Sequence, residues 1–164
     1  MNGPAPAGPD KDRYLGRTTM KNDPFVERVA LRWADLDVNG HVRHTVYYDL
    51  GSRMRMKVFA DSGLTMQDMR DDHCGPVLFR EECRFLREVH LDDPIDIHLE
   101  LLGMSRDHRK FRFQHRFLRG DELCATIQVD GAWMDTRTRK IFVPSQRVRD
   151  AMDALPKAEG FDWL

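Results

Sequence analysis

The residues best suited to chemistry stand within ten positions of one another, and they are Asp35, Asp37, Gly40, His41 and His44. A strand-like pattern precedes them and a helix-like pattern follows them. The first backbone N–H groups of a helix have no partner within it, and together with the helix dipole they bind anions or polarise a carbonyl group. A carboxylate held beside such donors can act on that carbonyl as a base or as a nucleophile. The segment therefore predicts carbonyl chemistry, and the structural alternative is an Asx turn that caps the helix.

Two other kinds of site begin with a similar pattern. Asp35, Asp37 and Asn39 have the spacing that opens a calcium-binding EF-hand loop. The twelfth position of that loop would be Val46, where calcium requires a glutamate, and a strand stands where the motif needs a helix. An Asp-x-Asp after a strand also occurs in haloacid-dehalogenase phosphatases, whose parallel core strands are continuously apolar. The alternating strands of this chain argue against that core.

A long amphipathic helix is predicted to follow the turn, from about residue 44 to residue 60. Its apolar stripe consists of Tyr47, Leu50, Met54 and Val58. Gly51 lies within this stripe, where a glycine costs about 1 kcal/mol relative to alanine. Its presence predicts a close approach between the helix and a sheet.

Alternation with period two predicts strands on both sides of this helix. Before the turn, Val29, Leu31 and Trp33 are expected to share one buried face. After the helix, the expected buried positions are Val77, Phe79, Cys83 and Phe85; Ile95, Ile97, Leu99 and Leu101; Phe111, Phe113, His115 and Phe117; and Leu123, Ala125, Ile127, Val129 and Trp133. Residues 119–121 predict a hairpin turn and residues 147–155 a short helix. One apolar and one polar face per strand indicates an antiparallel sheet covered on one side, which with the helix makes an α+β fold.

The composition of the chain limits its function classes. Its 164 residues suit one compact domain, and 26 basic against 27 acidic residues give a net charge of −1, so no overall field attracts nucleic acid. No apolar run approaches the roughly 20 residues of a membrane span, and the N-terminus lacks the apolar stretch of a secretory signal. Residues 1–20 are predicted to be a disordered leader and residues 21–164 a single domain. Three cysteines without a framework spacing indicate reduced thiols and a cytoplasmic protein.

The turn is similar to the motif of hotdog-fold thioesterases of the 4-hydroxybenzoyl-CoA thioesterase and YbgC type. That motif reads aromatic-x-Asp-x-Asp-x-x-Gly-His-Val-Asn-Asn and is followed by a further aromatic residue. The matching positions are Trp33, Asp35, Asp37, Gly40, His41, Val42 and Tyr47. The similarity extends over about residues 26–143 and includes the order of the elements. It implies the hotdog fold, in which one long helix packs on a curved antiparallel sheet.

The resemblance also implies a role for several residues. Asp37 corresponds to the catalytic carboxylate, and the backbone N–H of His44 corresponds to the donor that binds the thioester carbonyl. The chain has Arg43 and His44 where Asn-Asn is commoner, and in YbgC-like members a histidine side chain at the second position assists. His41 is either a further catalytic group or a residue that fixes the turn. Tyr47 is expected to contact the substrate.

A basic cluster at residues 106–110 is the predicted contact for the phosphates of coenzyme A. Such phosphates need surface cations, and a basic trio in the corresponding region of 4-hydroxybenzoyl-CoA thioesterase contacts the nucleotide. By this resemblance Arg109 and Lys110 are the expected residues, and a solvated hairpin turn is the alternative. Glu81, on the strand face of Cys83, is expected either to approach the pocket or to mark a β-bulge.

Together these features predict an acyl-CoA thioesterase that releases a free carboxylic acid and coenzyme A. Asp37 would activate a water molecule or attack directly to form a mixed anhydride, and the sequence leaves both routes open. No metal or redox cofactor is expected, because His41 and His44 lack a zincin glutamate and His73-Cys74 has no second cysteine pair. Coenzyme A would enter as part of the substrate.

The expected assembly is a homodimer or a dimer of dimers with the site between subunits. Hotdog relatives pair their sheets edge to edge, and an unpaired sheet edge favours such pairing. The alternatives are a hotdog hydratase or dehydratase and a non-catalytic acyl-CoA-binding module. Asp37 argues against the binding module, since binding alone does not require a carboxylate beside the thioester.

Overall fold

The computed structural model of the chain describes Asp23 and residues 25–164. The predicted leader, residues 1–20, lies outside these described residues, and the domain boundary at residue 21 stays a prediction. The described elements, in chain order, are β1 (Val26–Val29), a 3₁₀ turn (Trp33–Asp35), α1 (His44–Asp61), α2 (Met66–Asp71), β2 (Cys74–Phe85), β3 (Ile95–Met104), β4 (Lys110–Arg119), β5 (Glu122–Asp135), β6 (Lys140–Ile141), α3 (Gln146–Asp153) and β7 (Lys157–Trp163).

The strands form one sheet in the order β1-β3-β4-β5-β2, with every pair along this path antiparallel. The hairpin between β4 and β5 turns at Gly120, whose φ of 61° is left-handed, as the sequence predicted. β6 pairs antiparallel with the end of β5, and β7 pairs parallel with β3. β7 was not predicted from the sequence. The predicted α+β architecture, one long helix with an antiparallel sheet, is confirmed.

The apolar stripe of α1 packs against the inward face of this sheet. Phe59 of α1 lies 6.0 Å from Phe113 and 5.6 Å from Trp133, measured between ring centroids. The predicted alternation of β4 is confirmed, since Phe111, Phe113, His115 and Phe117 are all buried. Gly51 marks the expected close approach: a Cβ there would lie 3.4 Å from Ile127 and 3.6 Å from the ring of His115.

Three predicted buried positions, Trp33, Phe79 and Phe85, are exposed in the structure, and Phe85 at the end of β2 is 51% exposed. Trp33 is 80% exposed because the first strand ends at Val29 and the chain enters the 3₁₀ turn. Phe79 is 62% exposed because a β-bulge shifts the register of β2 against β5 between Leu78 and Arg80. An extra residue moves the following side chains to the opposite face of a strand.

The bulge decides which side chains of β2 reach the helix. Before it, Pro76 and Leu78 border a small cleft together with Ser52, Arg55 and Phe59. After it, Glu81 lies on the inward face, opposite the buried Val129. The prediction that Val77 and Phe79 face inward with Cys83 is therefore wrong for the part of β2 that precedes the bulge.

Candidate active site

The turn before α1 is a tight loop closed by backbone hydrogen bonds. The N–H of Asp37 donates to the carbonyl of His41 at 2.8 Å, and the N–H of Gly40 donates to the carbonyl of Asp37 at 3.1 Å. Gly40 has a φ of 77°, a left-handed conformation that favours glycine. Leu36 and Val42 form a β-bridge at the base of the loop. Residues 37–41 are thus held in one shape by the backbone.

The two aspartates of the motif have different surroundings. Asp35 is 5% exposed, and its carboxylate accepts hydrogen bonds from the backbone N–H and the guanidinium of Arg32, both at 2.8 Å. The Arg32 side chain holds the pKa of Asp35 below its usual range. Asp35 therefore caps the 3₁₀ turn. Of the two aspartates, only Asp37 lines the cleft described below.

Asp37 is exposed, and its hydrogen bonds to the loop are made by one carboxylate oxygen. Its Oδ1 accepts hydrogen bonds from the N–H of Asn39 at 2.8 Å and of His41 at 3.1 Å. These donors, that of His41 foremost, hold the pKa of Asp37 below its usual range, so the group is a carboxylate at neutral pH. No hydrogen bond to its Oδ2 is found among the described residues, although the side chain of Asn39 also favours the charged form of the group.

The first residue of α1 supplies a free backbone donor. The N–H groups just before it are already bonded, that of Val42 to the carbonyl of Val89 and that of Arg43 to the carbonyl of Asp35. The N–H of His44 has no acceptor within the described part of the chain. Such a donor, at the positive end of an 18-residue helix, can polarise a carbonyl group.

Asp37 and His44 line the same cleft, which has a volume of about 360 Å³. One wall comes from the turn and the start of α1, and the other from the end of β2 and the segment after it. The lining residues are Asp37, His41, Val42, His44, Tyr47, Phe85, Leu86, Arg87, Glu88 and Val89. The structure thus brings together the four motif residues that the sequence singled out as catalytic or substrate-binding.

Tyr47 forms the inner end of this cleft. It is 4% exposed and packs edge to face against Phe85 and Phe117, each with a centroid distance of 5.2 Å. Burial raises the pKa of Tyr47 to about 12, so its hydroxyl stays protonated. The residue therefore offers an aromatic wall and a neutral hydroxyl.

His41 contributes to the site through its backbone and presents its ring to a second group of polar side chains. Its Nε2 lies 3.6 Å from the carboxylate of Glu88, and its ring stands perpendicular to that of His90 at a centroid distance of 4.9 Å. No local pattern predicts these neighbours, because they lie almost fifty positions away along the chain.

Arg109 and Lys110 lie at the other end of the sheet. Lys110 begins β4, whereas Phe117, which contacts Tyr47, lies seven residues further along the strand. At 3.3–3.4 Å per residue this separation is roughly 23 Å. Arg109 pairs with Asp107 at 3.0 Å. Within one chain, the structure does not bring these two residues to the cleft that contains Asp37.

Other basic side chains are closer to the cleft. Arg87 lines it and donates to Glu122 at 3.2 Å. Arg119 borders an adjoining cleft of about 350 Å³, which shares Leu86, Arg87 and Glu88 with the first. These arginines were not predicted from the sequence because they lie far from the motif in the chain.

Glu81 does not line the cleft. Its carboxylate accepts a hydrogen bond at 3.0 Å from Arg55, a residue of α1 that is only 7% exposed. Of the two roles expected for Glu81, the position next to the β-bulge fits the structure. Its negative charge balances the positive charge of the buried Arg55.

A protein-family model described as the Thioesterase-like superfamily matches residues 31–152. This range contains the turn, α1 and all the lining residues of the cleft. A curated relative from Aquifex aeolicus (strain VF5), named "Putative esterase", is 28% identical over 83 residues. The matched part makes up 51% of this chain and 65% of that relative, so the chain spans less than two thirds of the relative's length.

Solved structures share the fold. A 1,4-dihydroxy-2-naphthoyl-CoA thioesterase from Synechocystis superposes with a TM-score of 0.71 at 16% identity, covering 80% of this chain and 96% of its own. A Staphylococcus aureus protein solved in complex with CoA superposes with a TM-score of 0.72 at 16% identity, covering 82% of this chain and 87% of its own. Together with the matching family, these similarities identify the curved sheet and its helix as a hotdog fold. None of the described helices is long and apolar enough to cross a membrane.

Proposed function

Because the chain belongs to the Thioesterase-like superfamily, we propose that it hydrolyses acyl-CoA thioesters to a free carboxylic acid and coenzyme A. One observation carries the proposal: Asp37, whose hydrogen bonds are made by Oδ1, and His44, whose helix-start N–H has no acceptor among the described residues, line one cleft. The thioesterase name of the Synechocystis neighbour and the CoA bound to the Staphylococcus neighbour support the same substrate class.

In the proposed reaction the backbone N–H of His44 donates to the carbonyl oxygen of the thioester. The helix dipole adds to this donor, and both stabilise the negative charge that develops on the oxygen as the carbonyl carbon is attacked. The sulfur of coenzyme A then leaves as a thiolate and takes a proton from water. The Oδ2 of Asp37 either activates the attacking water molecule or itself attacks the carbonyl carbon.

Asp37 can act in either of two ways. As a base it takes a proton from a water molecule, whose oxygen attacks the carbonyl carbon. As a nucleophile it forms a mixed anhydride, which water then hydrolyses to the acid and the free carboxylate. A single turnover in ¹⁸O-labelled water tests for the anhydride: label in Asp37 identifies direct attack, with water opening the anhydride at the Asp37 carbonyl carbon. Base catalysis puts the label only in the released acid, as does opening of the anhydride at the acyl carbon.

The remaining residues have supporting roles in this proposal. His41 keeps Asp37 in place through its N–H, and its ring lines the cleft where a proton can be exchanged. The aromatic wall of Tyr47 contacts the acyl group. Arg109 and Lys110 are proposed to hold the phosphates of coenzyme A, which requires the nucleotide to reach the far end of a sheet in the assembly. The reaction uses no metal or redox cofactor, and the three free thiols fit a cytoplasmic location.

We further propose a homodimer or a dimer of dimers. β2 pairs only with β5 among the described strands, so its other edge is unpaired, and Leu78, Phe79 and Phe85 on this strand are 43–62% exposed. An apolar unpaired edge favours association. Light scattering should give at least twice the monomer mass at micromolar concentration, without intersubunit disulfides. A stable monomer would contradict a site formed between subunits.

The proposed function is tested with a panel of short-chain, long-chain and aromatic acyl-CoAs. Hydrolysis of each is measured through the release of the free thiol of coenzyme A. Hydrolysis of at least one class, abolished in Asp37→Asn, is expected. Binding of acyl-CoA without thiol release would instead indicate a binding module. Hydration of an enoyl-CoA without thiol release would indicate a hydratase.

A further inference from the structure

Three side chains beside the cleft form a group of which the thioesterase proposal uses only one, His41. They are His41, Glu88 and His90, and one potential ligand atom from each lies within 4.8 Å of the other two. His41 and Glu88 line the cleft, while His90 lines the adjoining one. We propose that these residues bind a zinc-like divalent transition-metal ion, and that this ion inhibits the enzyme.

The backbone holds the two segments of this group together. The N–H of Val42 donates to the carbonyl of Val89 at 2.8 Å, and both valines are buried. Residue 41 is therefore fixed beside residues 88–90. With Val89 pointing inward, its neighbours Glu88 and His90 are exposed on the side that faces His41.

The distances suit a metal ion of this kind. Zinc binds imidazole nitrogen and carboxylate oxygen at roughly 2.0–2.2 Å, which places tetrahedral ligand atoms about 3.4 Å apart. His41 Nε2 and the Glu88 carboxylate are already 3.6 Å apart. The side chains of Glu88 and His90 are 71% and 55% exposed, so rotation about their side-chain bonds can close the remaining gap.

A neighbouring carboxylate can orient one of the ligands. Asp93 Oδ2 lies 3.7 Å from Nδ1 of His90 and is itself held by the N–H of His90 at 2.8 Å and by Arg119 at 2.7 Å. Metal-binding histidines usually present their second ring nitrogen to such a group. Nε2 of His90 is then the nitrogen that faces the metal ion.

The ligand set selects the metal. Two imidazoles and one carboxylate suit zinc, cobalt, nickel and copper, whereas magnesium and calcium require more oxygen ligands. A bound ion would add positive charge near Asp37, whose Oδ1 accepts the N–H of His41, and would occupy one wall of the cleft. This inhibitory role rests on the proposed function, whereas the binding site does not.

Binding is tested on the full chain without a polyhistidine tag, by calorimetry with Zn²⁺ and by the visible absorbance of bound Co²⁺. One ion per chain is expected, insensitive to excess Mg²⁺. His90→Asn should weaken binding by at least about tenfold, as losses of ligand support commonly do. The matched control is His73→Asn, which removes another exposed imidazole at a residue outside the group and should leave binding unchanged. No stoichiometric binding, or equal binding by His90→Asn, would overturn the site.

Inhibition is measured separately by the loss of thioester absorbance. An assay that detects the free thiol is unsuitable here, because zinc binds the thiol of coenzyme A. Zn²⁺ should slow hydrolysis by the wild type and by His73→Asn, and should affect His90→Asn much less. Zinc that binds at the site without slowing hydrolysis would overturn the inhibitory role. A protein that hydrolyses no acyl-CoA would contradict the proposed function, and the binding experiment would still decide the metal site.

Discussion

Ionisable side chains meet α1 both at its N-terminal end and at its middle, in very different surroundings. At the end, Asp37 is exposed, and two backbone N–H groups favour its charged form. At the middle, His115 is fully buried beside Gly51, and burial lowers its pKa to about 3. Neither ring nitrogen of His115 has a hydrogen-bond partner among the described residues, although the backbone of Gly51 and Ile127 lies close.

The difference in exposure distinguishes side chains that can react with a ligand from side chains that affect only the stability of the fold. The end of the helix keeps a charged oxygen and a free donor in contact with solvent. The middle keeps the ring of His115 neutral and pairs the buried Arg55 with Glu81. Substitutions at the end are therefore expected to change activity, and those at the middle to change stability.

The largest effect is expected for Asp37→Asn, which keeps the shape of the side chain and removes its charge. Turnover should fall by on the order of 10²-fold or more, with little change in melting temperature. The matched control is Asp35→Asn, which loses the ion pair that caps the 3₁₀ turn and should lower stability by about 1 kcal/mol. Near-normal turnover by folded Asp37→Asn would refute the proposed mechanism.

The next effect concerns the buried ion pair at the middle of α1. Glu81→Gln leaves the charge of Arg55 without its partner, and the free energy of unfolding should fall by about 2–3 kcal/mol. The loss is smaller than for a fully buried pair because Glu81 is partly exposed. Urea denaturation measures it. Glu82→Gln is the control, since Glu82 pairs with Arg80 at the surface, and it should cost at most about 0.5 kcal/mol. Equal losses would mean that burial of the pair is unimportant.

His115 predicts a dependence of stability on pH. Its folded pKa of about 3 lies below the usual value of 6.5, so its neutral form is favoured by folding. The contribution of His115 to the free energy of unfolding is therefore fully present above pH 6.5. It falls as the pH decreases from 6.5 towards 3, and about 2 kcal/mol is lost at pH 5. The carboxylates with lowered pKa values lose their contribution only in more acidic solution.

Unfolding of His115→Leu at pH 7 and pH 5 checks this expectation. The variant should lose most of the difference in stability between the two values. A smaller dependence remains from His98, whose pKa burial also lowers. If wild type and His115→Leu lose the same stability at pH 5, the buried ring is not the source of the acid sensitivity.

The smallest expected effect tests binding far from the reacting atoms. If Arg109 and Lys110 hold the nucleotide, changing both to alanine should raise KM for acyl-CoA by up to about tenfold with kcat nearly unchanged. An acyl-pantetheine, which lacks the nucleotide, should be hydrolysed as by the wild type. Arg87→Ala is the comparison. An increased KM in this variant, with the double variant unaffected, would place the phosphates at the mouth of the cleft.

Much of the fold was predictable because its signals are local. The helix from about residue 44 to residue 60 is found at His44–Asp61, and the hairpin at Gly120 and the alternation of β4 follow from turn chemistry and period two. The motif also predicted that Asp37, His41, His44 and Tyr47 belong to one site, and they line one cleft. These residues lie within eleven positions of one another, so local geometry is enough to group them.

The rest depended on contacts between distant parts of the chain. The two aspartates look alike in the sequence, and only the fold shows that Asp35 is buried against Arg32 while Asp37 faces the cleft. The bulge in β2 reverses which side chains meet α1, and Glu81 on an otherwise apolar strand face was its only local sign, one that fitted a pocket residue equally well. Glu88 and His90 reach His41 because one hydrogen bond joins the turn to the segment after β2. Periodicity describes neighbours along the chain, whereas burial and the charge state of a group depend on everything that packs around it.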